Sequence, residues 1–295
     1  PVASGTINVV GVGGLSFNPI MQLETLMPGQ TKYLPLRIAA NRNVTSGKKT
    51  LTLTLNTGQG APQIRSLILS AESLKVGLLL DSHNQAYLQR VSSTPSNYLT
   101  FWLEKHAYEF ETITECVLGT MRRCNVMVAP NQLALTNGDI EALRSYISSG
   151  GGLVAFGGIG IVDADKFQVS GDASEKGQRI SDLLGYQSGE TGQVERCYGV
   201  RIVQEQHPIS RGEKVGAVNV ISHAGPVFVK PPGTGTMIAE QRVKLGLGGV
   251  VVVPAVVANQ RGNGRVVHFN MSLSESMNIM DSLIEKAVNW AAKFL

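Results

Sequence analysis

The sequence is short of charge, of cysteine and of long apolar runs, and each shortage removes a class of function. Only 16% of its 295 residues are charged, and the formal net charge is +4. The basic excess sits in residues 1–73, with six Lys or Arg against two acids, while residues 74–295 hold 20 of each sign. No Lys/Arg run with interleaved aromatics occurs in the basic segment, so a nucleic-acid partner is not expected. The longest apolar run, Val250 to Ala258, is interrupted by Pro254. It falls well short of the roughly 20 residues a membrane-spanning helix needs, so no membrane span is expected. Three cysteines, Cys116, Cys124 and Cys197, form no CxxC pair and stand apart from any histidine cluster. That spacing argues against structural zinc and for free, partly buried thiols; whether Cys116 and Cys124 are bonded depends on a Cα separation of about 5.5 Å that spacing does not reveal.

The chain opens on Pro1 with neither an initiator methionine nor a signal peptide, which points to a processed or excised piece of a longer protein. Low charge and abundant Gly, Ser, Thr and Asn lean toward a periplasmic, cell-surface or secreted setting.

What is present divides the chain in two. Residues 1–73 carry alternating segments and turn signals: Thr31 to Ala40, the turn Asn41 to Gly47, then Thr50-Leu51-Thr52-Leu53-Thr54-Leu55, whose period of two predicts a half-buried strand with leucines inward. Pro28-Gly29 marks another turn. A small β-sandwich is expected here. The phrase Leu26-Met27-Pro28-Gly29-Gln30 followed by paired strands resembles the immunoglobulin-like modules found beside enzymes and on bacterial surfaces.

From Ser73 the period changes. Lys75 to Leu80 reads as a first parallel strand, Ser96 to His106 as a helix behind Pro95, Glu109 to Thr114 as an edge-like strand, and Asn125 to Ala129 as a third strand. Thr136-Asn137-Gly138-Asp139 is a capping-box start for a helix with Ile140, Leu143 and Ile147 on one face. That helix stops at Gly150-Gly151-Gly152 and feeds the strand Leu153 to Phe156, which ends in Gly157-Gly158-Ile159-Gly160. A helix closing at Gly185 follows, then strands at Val200 to Val203, Val218 to Ile221, Val227 to Val229, Val250 to Ala258 and Arg265 to Asn270, with few helical signals between them. Part of the sheet is therefore expected to be antiparallel. Asp281 to Phe294 closes the chain as a helix with Ile284, Ala287, Val288 and Ala291 facing the sheet.

Residues 74–295 resemble the class I glutamine amidotransferase-like superfamily. Gly160-Ile161-Val162-Asp163-Ala164-Asp165 with Ile180-Ser181-Asp182-Leu183-Leu184-Gly185 is similar to the trimerisation domain of microbial beta-galactosidases. Leu80-Asp81-Ser82-His83-Asn84 with Tyr146 to Gly152 resembles the module of gliding-motility and intraflagellar-transport proteins. His207-Pro208-Ile209-Ser210-Arg211-Gly212 is similar to a phrase in trehalose-utilisation-like members, and Gly262 to Val267 to the common late strand. The resemblance implies an α/β, doubly wound, flavodoxin-like, mostly parallel sheet, and an assembly or binding role, because catalytic residues are often missing in these relatives.

An amidotransferase needs a cysteine at the turn after its central strand, with a later histidine and acid. Gly157, Gly158, Ile159 and Gly160 occupy that turn, and none can attack a carbonyl. The remaining candidates lie at the carboxyl ends of strands, where open α/β sheets receive ligands: Asp81, Ser82, His83 and Asn84, then Asn131 with Gln132, then Gly157, Gly158 and Gly160, and Asn270. No catalytic residue and no cofactor is assigned. Asp81 with His83 offers an acid and a base or half a metal site, and two ligands do not make one. Asp163 and Asp165 read as a capping or solvated pair, and a Ser82, His83 or His268, Asp163 triad is allowed by composition without being demanded by spacing.

The expected function is a non-catalytic interaction or assembly module of a larger envelope or secreted protein, with a protein partner or self-association through the α/β domain. The alternative is a carbohydrate-binding or carbohydrate-hydrolysing domain acting through the crevice at Asp81, His83 and Asn131. A third possibility gives the β-sandwich an acidic partner at Arg37, Arg42, Lys48 and Lys49.

Overall fold

In the computed structural model the described residues are 5–11, 15–25, 27, 30–40, 47–57, 61–71, 73–91, 97–165, 178–221, 223, 225–246, 248–272 and 280–293. The chain forms two compact units, Pro1–Ser73 and Leu74–Leu295. The first holds β1 (Gly5–Val10), β2 (Leu15–Phe17), β3 (Ile20–Leu23), β4 (Ile38–Ala40), β5 (Gly47–Asn56) and β6 (Gln63–Ala71). They make an antiparallel sheet in the order β3-β1-β5-β6 and a two-stranded ladder of β2 with β4. Leu51 is fully buried, as its place in the Thr-Leu alternation predicts, but Thr52 to Leu55 are all half-buried, so the alternation in exposure is not kept beyond it. Residues 31–37 are not a strand, contrary to the expectation for Thr31 to Ala40; Pro35 has no N–H to give a ladder, and pairing begins only at Ile38. Pro28 and Gly29 lie outside the described residues.

The second unit runs β7 (Lys75–Leu79), α1 (Ser82–Arg90), α2 (Tyr98–Lys105), β8 (Glu109–Ile113), α3 (Leu118–Met121), β9 (Val126–Pro130), β10 (Ala134–Leu135), α4 (Asn137–Ser148), β11 (Gly152–Phe156), β12 (Val162–Asp163), α5 (Gln178–Leu184), β13 (Thr191–Ile202), β14 (Val218–Asn219), β15 (Gly225–Phe228), β16 (Thr236–Leu245), β17 (Val250–Arg261), β18 (Gly264–Phe269) and α6 (Asp281–Ala291). Ten strands share one sheet, ordered β14-β13-β16-β17-β18-β11-β9-β7-β8, with β15 also paired to β13. The five strands from β8 to β18 pair in parallel, and those from β18 outward to β14 pair antiparallel. The sheet is thus mixed, and its parallel half has the 2-1-3-4-5 order of flavodoxin-like folds.

β11 is buried along its whole length. Leu153 and Ala155 face a core shared with Leu143, Tyr146 and Ile147 of α4 and with α5, while Val154 and Phe156 face a core shared with α2 and α6. Helices on both faces explain why this strand reads as a continuous apolar run rather than an alternation. α4 starts with the capping box that its sequence announces: Thr136 Oγ1 accepts from Asp139 N at 3.0 Å, and Asp139 Oδ2 accepts from Thr136 N at 2.8 Å. The expected apolar face of α6 is buried, and Asp281 in its first turn bonds the Trp102 indole and, at 2.8 Å, His106 Nε2, tying it to α2.

Gly152 is required by a close approach, since a Cβ there would overlap the Ala291 carbonyl at the end of α6. Gly152→Ala should therefore lower the unfolding free energy by about 1–3 kcal/mol, the usual cost of forcing atoms into a packed core. Gly119→Ala, where a Cβ would meet nothing within 4 Å, should be neutral or slightly stabilising. Urea unfolding of both variants checks the pair; equal midpoints would refute the packing argument.

Candidate functional site

The parallel order reverses between β7 and β9, because β7 connects outward to β8 while β9 connects inward to β11. Neighbouring strands whose connections diverge leave a crevice at their carboxyl ends. Here buried side-chain amides fill the bottom of that crevice. Gln132 Oε1 accepts from Asp81 N at 3.0 Å while its Nε2 donates to Pro130 O at 2.8 Å. Asn84 donates to Asn131 O at 3.2 Å and accepts from Ala134 N at 3.1 Å. Four sequence-predicted residues, Asp81, His83, Asn84 and Asn131, are thereby gathered at one place.

Asp81 is the N-cap of α1, a helix absent from the sequence reading. Its Oδ1 accepts from His83 N at 2.9 Å and Asn84 N at 3.3 Å. The side chain is fully buried, and Oδ2 has no hydrogen-bond partner. The His83 ring sits beside it, 47% exposed, with Nδ1 3.3 Å from Asp81 Oδ1 and 3.3 Å from Asp139 Oδ2. Sequence reasoning assigned Asp139 to the α4 cap alone. The signal that places it here is topological: α1 and α4 both begin at the carboxyl edge of the sheet, after β7 and after β9, so their caps meet. Burial, and then the nearby Asp139 carboxylate, raise the Asp81 carboxyl above its ordinary range against the opposing pull of its backbone hydrogen bonds and His83. Burial, the Asp81 and Asp139 charges and a hydrogen bond to the Asp81 carboxylate push the Cys116 thiol far up as well, so this thiol is a weak donor beside Asp81.

The other candidates do not join this cluster. Ser82 is exposed and its N–H is bonded to Thr114 O at 2.9 Å. Gly157, Gly158 and Gly160 are all buried, so this turn presents no open cradle. Gly157 N donates to Phe269 O at 2.9 Å, Gly160 N donates to Gln132 O at 2.8 Å, and a Cβ on Gly157 (φ +65°) would overlap Asn131 Oδ1. Asn131 Oδ1 is itself buried without a hydrogen-bond partner. Asn270 is fully buried and spent on structure: its Nδ2 donates at 2.8 Å to both Phe228 O and Pro254 O, and its Oδ1 accepts from Phe228 N at 2.8 Å. Asp163 and Asp165 serve backbone amides, Asp163 Oδ1 accepting from Asp165 N at 3.1 Å and Asp165 Oδ2 from Asn137 N at 3.1 Å.

His268 is unavailable for a triad because both ring nitrogens are used. Nε2 lies 2.8 Å from Gly157 O, which can only accept, so the proton is on Nε2; Nδ1 then accepts from the Tyr186 hydroxyl at 2.7 Å. Burial lowers the pKa of this imidazole to about 4 against the partial opposition of the Gly157 bond. The three cysteines are free and buried.

No family model matches the chain, and no curated protein matches it in sequence. Solved structures do resemble it in fold. The beta-galactosidase from Bacillus circulans sp. alkalophilus superposes with a TM-score of 0.52 at 20% identity, over 74% of this chain and 31% of that one. The beta-galactosidase from Rahnella sp. R3 gives 0.53 at 15% identity, over 76% of this chain and 32% of that one. A ThuA-like protein from Bacteroides uniformis gives 0.50 at 15% identity, over 74% of this chain and 91% of that one. The chain thus spans about a third of the beta-galactosidases and nearly all of the ThuA-like protein. At these identities the likeness establishes the mixed α/β fold.

The His268 geometry sets a pH dependence. An ordinary imidazole titrates near 6.5, so between about pH 6.5 and pH 4 the unfolded chain binds a proton that folded His268 refuses. Stability should fall across that window by roughly 3 kcal/mol and then level off in this contribution. Half-buried His207 and buried His223 are displaced in the same direction, so the check is the difference between the wild type and His268→Gln in urea unfolding from pH 7 to pH 4. The variant should lose less stability over the window; parallel curves would refute the assignment.

Proposed function

We propose that the chain is a non-catalytic, amidotransferase-like module that self-associates through the antiparallel half of its large sheet. The observation that carries this reading is a stretch of sheet face, over β13, β14, β16 and the start of β17, that stays exposed among the described residues. Register places Val218 of β14 opposite Arg201 of β13, Arg201 opposite Glu240 of β16, Val252 of β17 opposite Arg242, and Val250 opposite Lys244. Cross-strand partners share a face, so these side chains form one surface. Val218 is 61% exposed and Val252 59% exposed, with Val220 and Val250 also exposed. The strip between these valines, on β13 and β16, is polar and mutually paired: Arg201 with Glu240, Lys244 with Glu195 at 2.9 Å, and Arg196 over the Tyr198 ring. The surface is a mosaic, with exposed valines on the two outer strands flanking a strip of paired charges, apolar in part and able to match itself across a two-fold axis, and a second copy of the chain is its simplest occupant.

The non-catalytic part rests on the turn after β11. Where an amidotransferase would carry its nucleophile this chain has buried glycines, and burial pushes all three thiols up, Cys124 to about 12 with help from Glu111. A thiolate is the form that attacks, and at neutral pH none of the three supplies it.

Light scattering behind size exclusion on the full chain is expected to give a dimer or higher oligomer, and Val218→Glu with Val252→Glu is expected to weaken association at least about tenfold by burying unpaired like charges. A monomeric wild type at micromolar concentration would overturn the assembly reading. A thiol-specific reagent should modify the native protein far more slowly than the urea-unfolded chain, and glutamine should release no ammonia; rapid native labelling with glutamine turnover would overturn the non-catalytic reading.

A further inference from the structure

The cluster at the crevice has more in it than helix capping requires. Asp81, His83 and Asp139 each offer a donor atom, and these atoms all lie within 4.8 Å of one another. A zinc bond to nitrogen or oxygen is about 2.1 Å long, which sets donor separations of roughly 3–4 Å. The two distances from His83 Nδ1, 3.3 Å to Asp81 Oδ1 and 3.3 Å to Asp139 Oδ2, fall in that interval. Capping uses one oxygen of Asp81, and Oδ2 of the same fully buried side chain is left without a hydrogen bond. A buried carboxyl group whose second oxygen has no nitrogen or oxygen partner, and only the weak Cys116 thiol donor beside it, is costly. Among the described residues no lysine or arginine forms an ion pair with Asp81 or Asp139, and His83 is the partner they share.

We propose that Asp81, His83 and Asp139 bind one divalent first-row transition cation, Zn(II) or Mn(II), at the mouth of the crevice between β7 and β9. Two carboxylates and one imidazole select such an ion, because the nitrogen donor disfavours Ca(II) and Mg(II), which prefer oxygen alone. The arrangement assigns the parts. Asp81 is the fixed ligand, held by two backbone amides; Asp139 is oriented by the α4 cap; His83 is the half-exposed one, through which the ion enters. Three protein donors leave the solvent side of the ion for water, as in open zinc sites. The inference stands apart from the assembly reading, since it uses other residues at the other half of the sheet.

The test uses the full chain without an affinity tag, stripped with a chelator and dialysed against Zn(II) or Mn(II), with bound metal measured by elemental analysis. The expected result is one equivalent retained and not displaced by an equal concentration of Mg(II). His83→Ala and Asp139→Asn should each weaken binding at least about tenfold while the circular dichroism spectrum is unchanged. His83 is half-exposed and Asn at 139 can still accept the Thr136 amide, so both variants keep the fold; should Asp139→Asn lose it, His83→Ala alone decides. Failure of the wild type to retain either metal, ready displacement by Mg(II), or binding unaltered by His83→Ala would each overturn the proposal.

Discussion

The constraint on which the second unit depends is the burial of β11 on both faces. A strand with no solvent side must be apolar throughout, must have parallel neighbours on each edge and must be covered twice, and Gly152 to Phe156 meets all three demands with β9, β18 and two helical layers. The closeness of α6 allows no side chain at Gly152. At the other end the chain must leave the sheet inside the protein, so the Gly157 carbonyl needs an internal donor. His268 supplies it, held by Tyr186, which stacks on Phe228 at 4.5 Å between ring centroids. The turn that could have been a catalytic elbow is therefore a structural knot, built from a neutral imidazole that burial prevents from charging.

The sheet could be read from the sequence wherever apolar pattern and topology agreed. β7, β9 and β11 are short apolar runs closed by Asp, Pro and Gly, and the Thr136 cap announced α4. The pattern failed where polar groups are buried with partners. β16 carries Glu240, Gln241 and Arg242 in its middle, and nothing in its sequence says that Gln241 is inside. The structure shows why it can be: its Nε2 donates to Pro254 O at 3.1 Å and Asn270 O at 2.6 Å, and its Oε1 accepts from His223 Nε2 at 2.7 Å. α1 was hidden for a related reason. Its first turn, Ser82-His83-Asn84-Gln85, is polar because it faces a crevice lined with amides, so hydrophobic periodicity had little to register.

For the candidate site, the rule that ligands meet open α/β sheets at carboxyl edges found the neighbourhood of Asp81, His83, Asn84 and Asn131. The same rule also selected Gly157 to Gly160 and Asn270, which lie along that edge but inside the protein. An edge is a line of chain ends, and accessibility along it depends on what covers each end; Asn270 is covered by β15 and β17, whose backbone groups it bonds. Asp139 was missed because its capping role accounted for it fully. One carboxylate can cap a helix and face a second cap, and only the meeting of two helix starts reveals the second role.

That meeting also explains how two acids can stand so close. Each helix start presents unpaired amides equivalent to about half a positive charge, so the starts of α1 and α4 offset part of the repulsion that an exposed pair would leave to solvent. The offset is local and short in range. The exposed face at Val252 lies four strands from β7 in the sheet order, roughly 19 Å at the usual strand spacing. The two places share no side-chain partner among the described residues and lie well beyond about 10 Å, so substitutions at them should combine additively. The two halves of the sheet are one folding unit through β11 and β18, yet they share no side-chain partner at these two places, which allows a parallel half that gathers polar caps and an antiparallel half that offers exposed valines beside paired charges.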